Sequence, residues 1–331
     1  MQPQAQASVP KKGISGSWLN LVGRLQNIRL VGLVVAWIIM ILVISRLAPY
    51  FLTLNNVITI TRYSVTSFIA AAGMTVALIG GGLDLSVGAA MMLAGVVTGS
   101  LFIRGVPLPV SLLAGLAVGP IIGFINGTLI TRARINPLIA TLGMMFILRG
   151  GGYIIAGGKA RAISEDAYQW SRVSFLGIPV PVFIMAVVFV LVYYLLNHTK
   201  LGRHIYAIGG NSLAARQAAM DVERYRMIVY IIAASLSALA GVILASIISQ
   251  IAPAAADGRE LEIATAVLLG GASLEGGRGS IVGTLVGVLF ISSLYNGLVG
   301  LGVVPEWVSL INGILLIAAV AMDQLPKGGW R

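Results

Sequence analysis

Long apolar runs constrain this chain more than any other feature, because each is close to the length a helix needs to cross a bilayer. A hydrocarbon core about 30 Å thick takes roughly 20 residues of helix, and only a helix or a closed barrel satisfies its own backbone polar groups there. About ten runs qualify, at residues 28–48, 62–82, 85–103, 107–131, 136–157, 178–196, 227–250, 261–274, 280–301 and 305–323. The eighth is short, and the second and third are nearly fused through a polar, glycine-rich break. With 58% hydrophobic and 10% charged residues, the composition excludes an ordinary water-soluble domain. The expected fold is an all-α polytopic membrane protein: a tail at 1–27, a transmembrane domain at 28–323 and a second tail at 324–331.

Charge placement supplies the orientation. The net charge of +11 comes from 22 Lys and Arg against 11 Asp and Glu. The opening MQPQAQASVPKKGISGS is polar and lacks the pattern of a removable signal, so it reads as a cytoplasmic tail. Alternating ten spans from there places Lys11, Lys12, Arg24, Arg29, Arg132, Arg134, Lys200, Arg203, Arg216, Arg224, Arg226, Arg278, Lys327 and Arg331 inside. Only Arg46, Arg104, Lys159, Arg161, Arg172 and Arg259 fall outside, while Arg62 and Arg149 lie within or at the edge of spans. The bias toward the inside predicts ten spans with both termini facing the cytoplasm. Basic residues scattered among spans make no nucleic-acid surface.

Few residues here carry chemistry. The chain has no Cys and 2 His, which removes thiolate nucleophiles and cysteine metal sites. His198 and His204 lack an HExxH setting, and Lys159 and Lys200 lie outside the apolar runs. No GxxxxGK[ST] loop is present for phosphates. No catalytic, cofactor or metal site is therefore expected in this chain.

Polar residues near hydrocarbon need a reason. Asp84 sits in GGGLDLSVG, residues 80–88, where Gly80, Gly81 and Gly82 allow a turn and Asp84 or Ser86 can cap the next helix. A broken-helix joint is the simplest account, with a gate against a neighbouring subunit and proton coupling as alternatives; no second intramembrane acid is obvious. LLGGASLEGGRGSIVG, residues 268–283, repeats the device with Ser273, Glu275 and Arg278, the last two able to pair. Asn126-Gly127, Asn296-Gly297 and Asn312-Gly313 lie inside spans, where small residues permit close approach and amides bond across helices. The hydrophilic stretch at about 197–226 contains Gly209-Gly210-Asn211 and then SLAARQAAMDVERYR, expected as a short helix outside the lipid with Asn211 or Ser212 as its cap. A partner could dock there, or on the outer loop at about 158–178 with its Tyr168 and Trp170.

Together, GGGLDLSVG, LGRHIYAIGGNSLAARQAAM at 201–220 and LLGGASLEGGRGSIVGTLVG at 268–287 resemble the permease family of bacterial carbohydrate ABC importers, the ribose, xylose and galactose type. The resemblance covers nearly the whole chain. It implies about ten helices per subunit in a fold like the vitamin-B12 permease, pairing with a second permease, identical or homologous. It also implies a cytoplasmic ATP-binding subunit that uses ATP and Mg, and a periplasmic binding protein that delivers a monosaccharide. Gly202, Arg203, Tyr206, Ala207, Gly209, Gly210, Asn211, Ala214, Ala215 and Arg216 match the coupling region, with Arg203 and Arg216 as contacts or braces and the alanines as the face seated in the partner. Related chains usually place Gly after AARxA, where this one has Ala219 followed by Met220. Gly81, Gly82, Asp84, Leu85, Ser86 and Gly88 match the GG-D-L-S-G segment, and Glu275 and Arg278 complete the joint or gate candidates. The implied function is alternating-access sugar import with hydrolysis in the partner. An ion-coupled secondary sugar carrier is the main competitor, followed by a membrane enzyme and a structural anchor.

Overall fold

The computed structural model describes residues 16–164 and 169–324; Lys11, Lys12, Tyr168, Lys327 and Arg331 lie outside them. The chain is built from helices α1 (Gly16–Leu47), α2 (Leu54–Ile79), α3 (Val87–Ile103), α4 (Leu108–Thr131), α5 (Pro137–Ala156), α6 (Gln169–Arg172), α7 (Val180–His198), α8 (Lys200–Gly210) and α9 (Ser212–Gln217). There follow α10 (Val222–Ile248), α11 (Arg259–Leu269), α12 (Ile281–Gly300) and α13 (Pro305–Gln324). Among the described residues, 8 helices are long and apolar enough to cross a membrane, and α3 adds a shorter apolar helix of 17 residues. The protein is an all-α, multi-pass membrane protein.

Three boundaries differ from the sequence expectation. The backbone of α1 is already helical at Gly16, because no proline interrupts the stretch from Trp18 to Arg29. The run at 261–274 does not make a full eighth span: α11 has 11 residues, about 16 Å of helix against the roughly 30 Å of a bilayer core. It stops because Gly270-Gly271 ends it, Gly271 taking φ 93°. The segment between α5 and α7 also takes part in two short antiparallel ladders, β1 (Arg161–Ala162) with β4 (Gln250–Ile251), which follows α10, and β2 (Ser174–Phe175) with β3 (Ile178–Pro179). Trp170 packs there against the hydrophobic core, so it is not a free docking handle.

The centre of the molecule is α2, buried without interruption from Ser64 to Ile79, with α10 packed against α2, α3 and α4. Lipid tails are as apolar as leucine, so helix association in a membrane depends on close packing, and glycine removes the obstacle. A Cβ on Gly119 of α4 would lie 2.6 Å from the Ala234 carbonyl oxygen of α10, and one on Gly73 of α2 would lie 2.7 Å from the Ala233 carbonyl oxygen. The periphery is the reverse: Leu47 of α1, Ile154 of α5 and Ile317 of α13 are exposed and present apolar surface to the hydrocarbon. Asn126 and Asn296 tie helices together as amides can: Asn126 Nδ2 donates to Ser86 Oγ at 2.9 Å, and Asn56 Nδ2 donates to Asn296 Oδ1 at 2.9 Å. Arg29 Nη2 donates to the Met322 carbonyl at 2.7 Å, and Ser273 Oγ donates to Asp323 at 2.8 Å. The start of the apolar part of α1, the end of α13 and the turn at 270–280 therefore share one face of the bundle.

Candidate functional site

Two glycine turns repeat the same backbone solution. After α2, Gly81 N–H donates to the Leu78 carbonyl and Gly82 N–H to that of Ala77; after α11, Gly271 N–H donates to Leu268 and Ala272 N–H to Val267. This is the hydrogen-bond pattern of a left-handed helix cap, which needs the positive φ that Gly81 (80°) and Gly271 (93°) supply. Each turn caps the free carbonyls of one apolar helix and lets the next start within a few residues.

Asp84 lies in the first turn and is fully buried. Its Oδ1 accepts from Ser86 N at 2.9 Å and from Ser86 Oγ at 2.6 Å. Ser86 precedes α3, but its hydroxyl does not cap that helix; it donates to Asp84 and accepts from Asn126 instead. The joint is thus an internal polar knot, and the carboxylate offers no face to a neighbouring subunit. Gly82 makes room for the Tyr230 ring, while Gly88 makes room for Glu260. In the second turn, Ser273 is buried and Glu275 exposed; the Arg278 carbonyl accepts from Ser273 N–H at 3.1 Å.

The amphipathic helix α8 brings both turns together. Gly277 N–H donates to the Ile79 carbonyl at 2.8 Å, and a Cβ on Gly276 would lie 2.7 Å from Gly81 Cα and 2.8 Å from the Gly209 carbonyl oxygen. A Cβ on Gly209 would fall onto that same Ile79 carbonyl. Tyr206 Oη donates to the Gly279 carbonyl at 2.9 Å, and burial pushes its pKa above the usual tyrosine range, which keeps it a protonated donor. Gly202 is buried where α8 folds back under α7, and Thr199 Oγ1 accepts its N–H at 3.1 Å. Three motifs distant in sequence therefore meet backbone to backbone, and α8 cannot move without pressing on the ends of α2 and α11.

Beyond α8, Asn211 Oδ1 accepts the Ala214 N–H at 2.9 Å and caps α9. Ala215 is buried against Ile208 and Val222, not offered to a partner; Leu213, Ala214 and Ala218 form the exposed face. Arg216 pairs with Glu223 at 2.5 Å, whereas Arg203 is exposed on α8. Ala219 takes φ 60°, a left-handed conformation where glycine is the unstrained choice.

A second cluster went unseen in the sequence. Arg259 opens α11, and its Nη1 donates to Ser67 Oγ at 3.1 Å; Ser67 in turn faces Glu262 Oε1 at 3.5 Å. Ser67 is 13 residues into α2, roughly 20 Å from its start at 1.5 Å per residue. Arg259 is therefore not an outer-surface charge but lies at mid-depth of the bundle. Buried Glu260 meets Arg149 of α5 at 2.8 Å, and Arg149 also reaches Asp257 at 3.5 Å. Several acids thus stand at mid-depth where the apolar pattern suggested none besides Asp84. The sequence signal was REXE directly ahead of an apolar run too short to span.

The structure is an all-α, multi-pass bundle with a helical hairpin, α8–α9, locked to two glycine turns. The chain belongs to the family described as branched-chain amino acid transport system / permease component, whose profile matches residues 56–320. It is 38% identical over 295 residues to the ribose import permease protein of Escherichia coli K12, covering 88% of this chain and 92% of that one. The ribose import permease protein of Bacillus subtilis is 39% identical over 289 residues, covering 86% and 90%. The D-allose transport system permease protein of Escherichia coli K12 is 36% identical over 290 residues, covering 87% and 89%. No solved structure matches the chain.

Proposed function

We propose that this chain is the membrane-spanning permease subunit of an ATP-driven importer for a monosaccharide. The observation that carries this is the end-to-end similarity to import permeases named for ribose and allose, at 36% to 39% identity. Counting α3 and the half-length α11 with the 8 long helices gives ten apolar segments, a number that supports a fold of the vitamin-B12 permease type. In this reading both termini face the cytoplasm. Two permeases, the same or homologous, pair in the inner membrane, and a periplasmic binding protein delivers the sugar.

The α8–α9 hairpin is the coupling element. ATP and Mg bind in a separate cytoplasmic subunit that seats on Leu213, Ala214 and Ala218, with exposed Arg203 beside it. Closure of that subunit pushes α8, and Gly209 and Tyr206 pass the push directly to the glycine turns that end α2 and α11. The permease needs no hydrolytic residue of its own. The family description names branched-chain amino acids, which makes an aliphatic amino acid the second substrate class to test.

Gentle detergent purification from the native membrane, followed by mass-spectrometric stoichiometry, tests the assembly. An ATP-binding subunit should co-purify with two permease copies, and an Arg203→Glu plus Arg216→Glu variant should lose it while still inserting. An active transporter recovered repeatedly without an ATPase would place an ion-coupled secondary carrier ahead.

A further inference from the structure

At mid-depth, between α2, α11, α12 and α13, the chain forms a half-open pocket of about 280 Å³. Its lining includes Tyr63, Ser67, Asp257, Arg259, Glu262, Tyr295 and Asn312. Ionisable groups at this depth are costly and rarely kept without a use. A structural use already exists on the other side of the same helical turn, where Glu260 is clamped by Arg149. Arg259 and Glu262 point instead into the cavity, linked only through the Ser67 hydroxyl among the hydrogen bonds that hold them there.

The lining chemistry selects a class of ligand. Arg259 offers donors, Glu262 acceptors and Asn312 both, while Ser67, Tyr63 and Tyr295 add hydroxyls that serve either way. Asp257 adds a second carboxylate to the lining and is itself paired with Arg149 at 3.5 Å, so the pocket presents fixed acceptors beside one guanidinium, a set that bonds hydroxyl groups. A branched aliphatic side chain would call for an apolar lining. Two tyrosine rings beside hydroxyl, amide and carboxylate groups match a ring that carries hydroxyls on its edge and C–H groups on its faces. The volume sits at the lower end of small-molecule pockets, which run from about 300 to 1,000 Å³, and so fits one sugar ring better than two.

We propose that this cavity is the resting site of a monosaccharide in transit through the chain, its hydroxyls held by Arg259, Glu262 and Asn312 beside the rings of Tyr63 and Tyr295. The proposal rests on the importer function and adds the residues that touch the cargo. The half-length of α11 then has a purpose: a full span would carry its first turn, with Arg259 and Glu262, to the outer surface and close the cavity with backbone. A tilt of α11 driven from its glycine turn would move both groups at once, so the site would release the sugar as the coupling hairpin shifts.

The test uses the complete importer with its ATPase and binding protein in proteoliposomes, and radiolabelled D-ribose, D-fructose and D-allose as probes. Asn312→Ala and Tyr295→Ala should each lower uptake of the best-transported sugar about tenfold, the loss of about 1.4 kcal/mol of binding. ATP hydrolysis stimulated by the loaded binding protein should stay within about twofold, since neither residue lies near the coupling hairpin. The natural chain has no Cys. An Asn312→Cys variant in the assembled importer should therefore react with a hydrophilic thiol reagent and be protected by the transported sugar, a readout that does not depend on the alanine variants folding. Normal uptake in both alanine variants, uptake and hydrolysis falling in equal proportion, or thiol labelling of the Asn312→Cys variant unaffected by sugar would overturn the site. No uptake of any probe by the wild-type importer would overturn the importer function itself, and the site with it.

Discussion

Adjacent glycines at the end of α8 offer a test in which each serves as the control for the other. A Cβ on Gly209 would fall onto the Ile79 carbonyl and lie 2.7 Å from Gly277 N, the two partners of the hydrogen bond that joins α2 to the second glycine turn. A Cβ on Gly210 would meet only Gly277 Cα, at 3.9 Å, an ordinary contact. Forcing a methyl group into the first position costs about 1–3 kcal/mol of overpacking. Separating Ile79 from Gly277 removes a hydrogen bond of about 1 kcal/mol. Alanine's better helix propensity returns about 1 kcal/mol in both variants. Gly209→Ala should therefore destabilise by about 1–3 kcal/mol, and Gly210→Ala should be neutral or slightly stabilising. Thermal unfolding of the purified protein in one detergent, followed by tryptophan fluorescence, reads the difference, and ATP-driven uptake reads its effect on coupling. Equal melting temperatures for the two variants would refute the claim that α8 is locked backbone to backbone against both turns.

Arg149→Ala leaves buried Glu260 without its cation, and a broken buried ion pair costs about 3–5 kcal/mol, so expression and melting temperature should both fall sharply. Changing Glu260→Gln as well should recover part of that loss. Ala219→Gly relieves the left-handed strain of about 1–2 kcal/mol but frees the unfolded chain by about 0.4–1, so a stabilisation near 0.5–1 kcal/mol is expected in the same melt. Tyr206→Phe removes the hydroxyl that donates to Gly279 O, and it should lower stability by about 1–2 kcal/mol and reduce uptake per ATP hydrolysed in the reconstituted importer. A double-mutant cycle on Asn56→Ala and Asn296→Ala should return a coupling of about 0.6 kcal/mol, typical of interhelical polar pairs in membranes.

Apolar run length made most of the fold legible, because a backbone in hydrocarbon has almost no alternative to helix. The glycine motifs at 80–88 and 268–283 announced turns for an equally local reason, the φ values that only glycine adopts freely. Other features depend on tertiary depth. Counting residues in LEIATAVLLGGASL does not reveal that Gly270 ends α11 after 11 residues, nor that Arg259 stands beside the middle of α2. Ala215 looked like part of a docking face because α9 is short and alanine-rich, yet packing with Ile208 and Val222 turns it inward. Asp84 read as a helix cap because it precedes α3, whereas its partners are the backbone and hydroxyl of Ser86, with Asn126 behind them. In each case a local pattern named the residue and a neighbour distant in sequence set its role.

The central claim is import powered by a partner's ATP. Its most direct measurement is uptake of radiolabelled D-ribose, D-fructose, D-allose and L-leucine into proteoliposomes holding this permease with its co-purified ATPase, with the binding protein outside and ATP inside. The account predicts accumulation of at least one sugar only when ATP, Mg and the binding protein are all present, with L-leucine excluded and no dependence on an imposed proton or sodium gradient. Sugar accumulation driven by such a gradient without ATP, or accumulation of L-leucine alone, would contradict it.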